Sequence, residues 1–265
     1  MPSDVKPLAG RARWAVIALL AVVTSDVLTI GSDLLEIRLM DQLIAGDDVS
    51  ASTLESDDTR QLVVAALDVA VQVAAIVIFL LWFHRAYSNV GALGAALRFR
   101  RGWALAGWFV PILWWWRPKQ IANDIWRGAN LDVRSRRITI GKTPVSTLLT
   151  AWWVAWLVTN TVSWQTVRLW WDVPTAADAG ITAALGDTVD AQALRDTAIV
   201  DAVASVLDVL AAVLAILVVR NLTYRVLARE GVIASLPEPL PQPGVPSSSR
   251  ADAGTSQLPG LGSNQ

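Results

Sequence analysis

The sequence predicts an all-α integral membrane protein with four transmembrane helices, arranged as two in-out-in hairpins. A tryptophan-rich interfacial or re-entrant helical segment is expected between spans two and three. Apolar residues make up 54% of the 265-residue chain. Four apolar runs approach or exceed the roughly 20 residues that a helix needs to cross a bilayer. Lys and Arg cluster between alternate runs, as they do on the cytoplasmic side of membrane proteins.

The first half of the chain contains two predicted spans. Residues 1–13 are a short basic segment that we expect in the cytoplasm, and residues 14–35 form the first span. A basic start before an apolar run also fits a signal peptide, but this run is long and contains polar residues, which favours an uncleaved anchor. We expect a polar loop over residues 36–61 and a second span over residues 61–83.

The stretch Trp103–Trp116 is rich in tryptophan and carries no charge. Its roughly 14 residues would rise only about 21 Å as a straight helix, against a bilayer core of roughly 30 Å. Tryptophan favours the headgroup boundary, and Pro111 interrupts a helix because it lacks a backbone donor. Cations flank both ends. We predict an interfacial or re-entrant segment over 103–130. The alternative is a fifth span across a locally thinned bilayer.

The second half of the chain repeats the hairpin pattern. The third span is predicted over residues 146–171 and the fourth over 197–219, with an acidic loop between them. The membrane domain thus covers residues 14–235. Residues 236–265 are rich in Pro, Ser and Gly, which predicts a disordered cytoplasmic tail.

The distribution of Lys and Arg orients the four spans. With both termini in the cytoplasm, residues 1–13, 85–146 and 220–265 share one side. They hold every Lys and Arg of the chain apart from Arg38, Arg60, Arg168 and Arg195. A fifth crossing would place the basic second half outside, so we favour four. We expect a multi-pass protein of the bacterial plasma (inner) membrane.

Three aspartates inside predicted spans form the first candidate site. Asp26, Asp68 and Asp208 fall at a similar depth, and Arg168 is the candidate counter-charge. Intramembrane carboxylates are costly and often mark ion or proton routes. A small transporter or a proton or cation channel is therefore the alternative to the function that we favour, a non-enzymatic protein that binds anionic lipid or a membrane partner through its basic, tryptophan-rich cytoplasmic hairpin. The alternative is that neighbouring helices satisfy each carboxylate and that all three only fix packing.

Polar and basic residues at the inner membrane surface form the second candidate site. They would bind an anionic lipid headgroup or a phosphorylated ligand. General anchoring to an anionic membrane is the alternative explanation. The residues are Arg85, Tyr87, Asn89, Arg117, Lys119, Asn123 and Arg127.

Catalytic and cofactor chemistry lacks a sequence signal. The chain has no Cys and one His, and it contains no nucleophile elbow, phosphate-binding loop or zinc-protease motif. We therefore expect no catalytic residue, no metal site, no cofactor and no nucleic-acid partner. The expected partners are the lipid bilayer itself and either an anionic lipid or another membrane protein.

A series of motifs around the tryptophan-rich stretch indicates a family. In order they are His84-Arg85-Ala86-Tyr87-Ser88-Asn89, Leu93-Gly94, Gly102-Trp103-Ala104-Leu105-Ala106-Gly107-Trp108-Phe109-Val110-Pro111, Arg117-Pro118-Lys119-Gln120 and Ile125-Trp126-Arg127. With these motifs the chain resembles the actinobacterial membrane proteins grouped as DUF4328, over roughly residues 60 to 230. Arg100-Arg101 departs from the smaller, turn-forming pair expected there. The resemblance implies a helical membrane protein and no particular activity.

Overall fold

The structure, a computed structural model, describes residues 5–130, 144–172 and 188–235, with side chains except those of 163–172 and 188–190. The described residues contain helices and no strand. The chain divides into two compact units, Met1–Ala234 and Ser235–Gln265. Of the second unit the structure describes only Ser235, so the tail predicted over residues 236–265 lies outside the described residues. The helices are α1 (Ala9–Ala45), α2 (Ala51–Ala92), α3 (Trp103–Ala106), α4 (Arg117–Gly128), α5 (Thr147–Asp172) and α6 (Thr188–Ser235), with a 3₁₀ turn at Leu113–Trp115.

Within the described residues, three helices are long and apolar enough to cross a membrane. They are α1, α2 and the part of α6 from Ala191 to Ser235. With 37, 42 and 48 residues, α1, α2 and α6 are about twice as long as a bilayer requires. The helices therefore extend well past the predicted spans.

The loop predicted over residues 36–61 is largely wrong, because both neighbouring helices continue into it. Only residues 46–50 separate α1 from α2. Gly46 ends α1 in the left-handed conformation, with φ 82°, which glycine adopts without steric cost. The Ser50 hydroxyl caps α2 by accepting a hydrogen bond from the Thr53 N–H at 3.3 Å.

Helix α6 packs along the antiparallel hairpin of α1 and α2. Near the α1–α2 turn, which we call the loop end, Arg195 pairs with Asp41 at 2.6 Å. At the opposite end the buried Trp82 ring donates its Nε1–H to the Thr223 hydroxyl at 3.0 Å. We call this the basal end; it comprises residues 5–13, 82–130 and 220–235. Helix α6 therefore runs in the same direction as α2.

The tryptophan-rich stretch does not form one continuous helix. It contains the four-residue α3, the 3₁₀ turn and irregular turns, and Ile112 has a φ of 69°, which is unusual for a β-branched residue. Its Trp108 ring lies 5.9 Å from the rings of Phe79 and Phe83 on α2. It also contacts Trp156 on α5 edge to face at 5.4 Å. The stretch thus folds against α2 and α5.

Helix α4 closes the basal end. Its Ile121, Ala122 and Ile125 are fully buried, as their helical spacing predicts. At Gly128 the helix approaches α2 closely, since a Cβ there would lie 2.3 Å from Val90 Cγ1. The apolar face of α4 therefore packs against the rest of the protein, including α2.

Candidate functional site

The three predicted intramembrane aspartates lie on the facing sides of α1, α2 and α6. The Ser25 hydroxyl donates to Asp68 Oδ1 at 2.7 Å, which joins α1 to α2. The Gln72 side-chain amide donates to Asp208 Oδ2, also at 2.7 Å, which joins α2 to α6. We call Ser25, Asp26, Asp68, Gln72 and Asp208 the carboxylate seam.

Asp26 is the most buried member of the carboxylate seam. Only 3% of its surface is exposed, and its Oδ2 atom has no hydrogen-bond partner. Both Asp68 and Asp208 lie within electrostatic range of it. The predicted counter-charge, Arg168, has a side chain outside the described part of the structure. Three carboxyl groups therefore face one another at a place where an isolated charge is costly.

A second polar layer lies closer to the loop end. The Ser32 hydroxyl donates to Gln61 Oε1 at 2.8 Å, and the Gln61 amide donates to Glu36. Arg60 donates to the Ser32 hydroxyl at 3.1 Å. Asp33 is 3% exposed and has an unpartnered Oδ2. Polar groups thus continue from the carboxylate seam towards the Arg195–Asp41 pair at the loop end.

This second polar layer was not predicted, although its residues repeat at a regular distance along the sequence from those of the carboxylate seam. Asp26 and Asp33, Gln61 and Asp68, and Asp201 and Asp208 are each seven residues apart. Seven residues make nearly two helical turns, so each pair shares one face. Asp201 accordingly lies within electrostatic range of both Asp33 and Asp68.

Towards the basal end the polar layers stop. Buried Ala18, Val22, Ala75 and Ala212 form an apolar cluster there. Beyond it lies the aromatic core around Trp82. The carboxylate seam is therefore continuous with polar groups on its loop-end side and closed by apolar side chains on its basal side.

Two residues of the predicted anion-binding set hold the basal backbone together. The buried Tyr87 hydroxyl donates to the Phe99 carbonyl at 3.1 Å and accepts from the Phe99 N–H at 3.2 Å. The buried Asn89 side chain donates to the Lys6 carbonyl at 2.7 Å and accepts from the Lys6 N–H at 3.2 Å. Both side chains already hydrogen-bond to the backbone, so their polar groups are poorly placed to bind a ligand.

The remaining predicted anion-binding residues are spread over the basal end. The Arg117 guanidinium lies over the Phe99 ring at 4.1 Å, and Lys119 donates to the Thr150 hydroxyl at 3.0 Å. Asn123 Oδ1 is buried without a hydrogen-bond partner. Arg85 is half-buried in α2, and Arg127 lies within electrostatic range of Asp124. Some residues of the predicted anion-binding set therefore make structural contacts, and the others are basic residues at separate positions.

Asp124 is a buried acid that its place on α4 did not predict. The amphipathic pattern assigns it to the polar face, but its side chain is fully buried and its Oδ1 lies 3.3 Å from Arg98 Nε. Burial raises the pKa of Asp124 to about 6, although Arg98 and Arg127 act to lower it. Burial also lowers the pKa of Lys119 to about 8. The Asp124 carboxyl group therefore lies on the buried side of α4 and not on an exposed polar face.

Replacing Asp124 by asparagine is expected to make the protein less sensitive to pH. The folded state holds the Asp124 proton more tightly than the unfolded chain, whose aspartates titrate near 3.8. Stability from this group is therefore lost as the pH rises through about 6. Two pKa units are worth about 3 kcal/mol, and the value of about 6 already includes the opposing effect of Arg98. We expect Asp124→Asn to unfold a few degrees above the unaltered protein at neutral pH, and near it at pH about 4, where the carboxyl group is largely protonated in the folded state and about half protonated in the unfolded state.

Thermal unfolding in detergent micelles at the two pH values checks this expectation. Asp48→Asn is the control, because Asp48 is an exposed acid in the α1–α2 turn. A lower unfolding temperature for Asp124→Asn at neutral pH would mean that the ion pair with Arg98 outweighs burial.

These features define an all-helical membrane protein with facing carboxylates between its long helices. Residues 45–224 match the family described as "Domain of unknown function (DUF4328)". The match covers more than half of the chain, which therefore belongs to the DUF4328 family. No curated protein matches the chain, and no solved structure does either.

Proposed function

We propose that this protein is a non-enzymatic, four-span protein of the bacterial plasma membrane that binds protons at the carboxylate seam from the outer side. Helix α5 provides the fourth span, and the basal end with both termini faces the cytoplasm. The observation that carries the proposal is Asp26, whose buried Oδ2 has no hydrogen-bond partner and which faces two other carboxyl groups.

A proton suits this arrangement better than a metal ion. No group of acidic or histidine side chains among the described residues is arranged to hold a metal. A proton taken from water onto Asp26 Oδ2 removes a buried charge and supplies a donor for a neighbouring carboxylate. The polar layer at Asp33 and Glu36 supports access from the loop end, which the orientation places outside. The apolar cluster around Val22 supports a site closed towards the cytoplasm, so transport would require a change in helix packing.

Infrared difference spectroscopy tests the proton site directly. We expect the protein at neutral pH to show the C=O stretch of a protonated carboxylic acid, and this band should disappear in Asp26→Asn. Asp48→Asn is the control and should retain the band, because its side chain is exposed. An identical spectrum for Asp26→Asn and the unaltered protein would remove the basis of the proposal. Proton flux in proteoliposomes then separates transport from binding alone.

A second candidate function is binding of an anionic lipid surface or a membrane partner through the tryptophan-rich segment. Phe109 and Ile112 are 71% and 69% exposed, and Trp115 and Trp116 are also exposed. Apolar side chains beside basic residues are typical of segments that enter the membrane interface. A fluorophore on Ile112→Cys in nanodiscs should shift to shorter wavelength when anionic phospholipid replaces zwitterionic phospholipid. An unchanged spectrum would count against this function.

A further inference from the structure

A groove runs between α5 and α6 on the outside of the bundle. Its volume is about 470 Å³, and all of its walls except one threonine are formed by alanine, valine and leucine. Val154 and Leu210 are each more than half exposed, so the groove opens to the surroundings and not into the core. Its walls include Thr150, Val154, Ala155, Val158, Leu210 and Leu214.

The basal end of this groove carries a cation, Lys119, that has no acidic partner among the described residues. Lys119 Nζ donates one hydrogen bond, to the Thr150 hydroxyl, and Thr150 lines the groove. The ammonium group has three donors, so two remain for another acceptor. None of the ion pairs found in the described residues includes Lys119. Its half-buried position lowers its pKa to about 8, and a bound anion would offset that cost.

We infer that this groove binds one acyl chain of an anionic phospholipid, whose phosphate group is held by Lys119. An apolar trough that ends at an unpaired cation matches the two parts of such a lipid. A second copy of the chain is the competing occupant, but the apolar walls of the trough account only for its apolar contacts and not for Lys119. The inference rests on the proposed fourth span, since α5 must lie in the membrane for an acyl chain to reach Val154 and Val158.

Native mass spectrometry of the full chain in detergent tests the inference with phosphatidylglycerol and phosphatidylcholine as probes. We expect one phosphatidylglycerol to be retained in preference to phosphatidylcholine. Lys119→Gln should reduce retention of phosphatidylglycerol about fivefold, the usual effect of one cation near anionic lipid, without affecting phosphatidylcholine. Arg100→Gln, which removes an exposed basal cation, should leave retention unchanged. Ala155→Leu, which narrows the trough, should reduce retention of both lipids.

Three results would overturn the inference: equal retention of the two lipids, no effect of Lys119→Gln, or a dimer that Ala155→Leu converts to a monomer. A spin label on Val154→Cys separates this inference from the fourth span. Relaxation by a water-soluble agent, but not by oxygen, would place α5 in water and contradict both. Relaxation by oxygen without lipid retention would contradict the groove alone.

Discussion

Replacing Trp82 by alanine is expected to destabilise the protein by about 3 to 5 kcal/mol, the usual cost of deleting a buried tryptophan. Trp82 is fully buried and lies among aromatic rings that include Phe79, at 5.3 Å between centroids, and Phe83. The substitution also leaves the Thr223 hydroxyl without its donor. Because this bond joins α2 to α6, we expect the packing of the three long helices to loosen.

Thermal unfolding in detergent measures this effect, and the midpoint should fall by roughly 10 °C. Trp14→Ala is the matched control, since Trp14 is 62% exposed and its loss should change the midpoint little. Trp82→Phe keeps an aromatic ring but loses the hydrogen bond and part of the indole volume, so it should cost less than Trp82→Ala, about 1 to 3 kcal/mol. If Trp82→Ala and Trp14→Ala unfolded at the same temperature, α6 would not pack on α2 as described.

Replacing Arg229 by methionine is expected to destabilise the basal end by about 3 kcal/mol, since it leaves one buried and one partly buried carbonyl without this donor. Arg229 is buried and donates to the Asn130 carbonyl at 2.8 Å and to the Leu93 carbonyl at 3.2 Å. These carbonyls follow the ends of α4 and α2, so one side chain of α6 links both helices. Methionine retains much of the volume, which limits the cavity contribution.

Unfolding of Arg229→Met should be compared with that of Arg220→Met, because Arg220 is an exposed cation on the same helix. Limited proteolysis between residues 93 and 116 should also accelerate in Arg229→Met alone. A buried charge is costly, and its replacement is neutral in some proteins. Equal stability of the two variants would show that the carbonyls find other donors and that Arg229 does not clamp the basal end.

The helical character and three of the four predicted spans, those on α1, α2 and α6, were predictable because long apolar runs have few alternatives in a membrane. Spacing also placed Ile121 and Ile125 on one face of α4, but it did not predict that this face packs against protein instead of the membrane surface. The true helix ends were not predicted, because residues 36–45 mix charged side chains with apolar ones and fall outside the span-length runs. Leu39, Met40, Leu43 and Ile44 there belong to one hydrophobic cluster with Leu54 and Leu194, which continues the helices past the spans. Gly46 and the capping residue Ser50 marked the turn.

The candidate sites were predictable to different degrees. Three aspartates on three apolar runs identified the carboxylate seam, because a carboxyl group in such a run is rare. The roles of Tyr87 and Asn89 depended on where the backbone of Phe99 and Lys6 folds back, which no local pattern specifies. Burial of Asp124 likewise depends on the approach of α4 to α2 in the folded chain.

An arrangement with four crossings requires the tryptophan-rich stretch to return to the side of the membrane from which it began. Single cysteines at Arg100 and Trp116, in a chain that has no native cysteine, should react with a membrane-impermeant maleimide only from the cytoplasmic side of oriented vesicles. Glu55→Cys should react only from outside. Reaction of the two flanking positions from opposite sides would contradict four crossings, and with them the outward opening of the carboxylate seam.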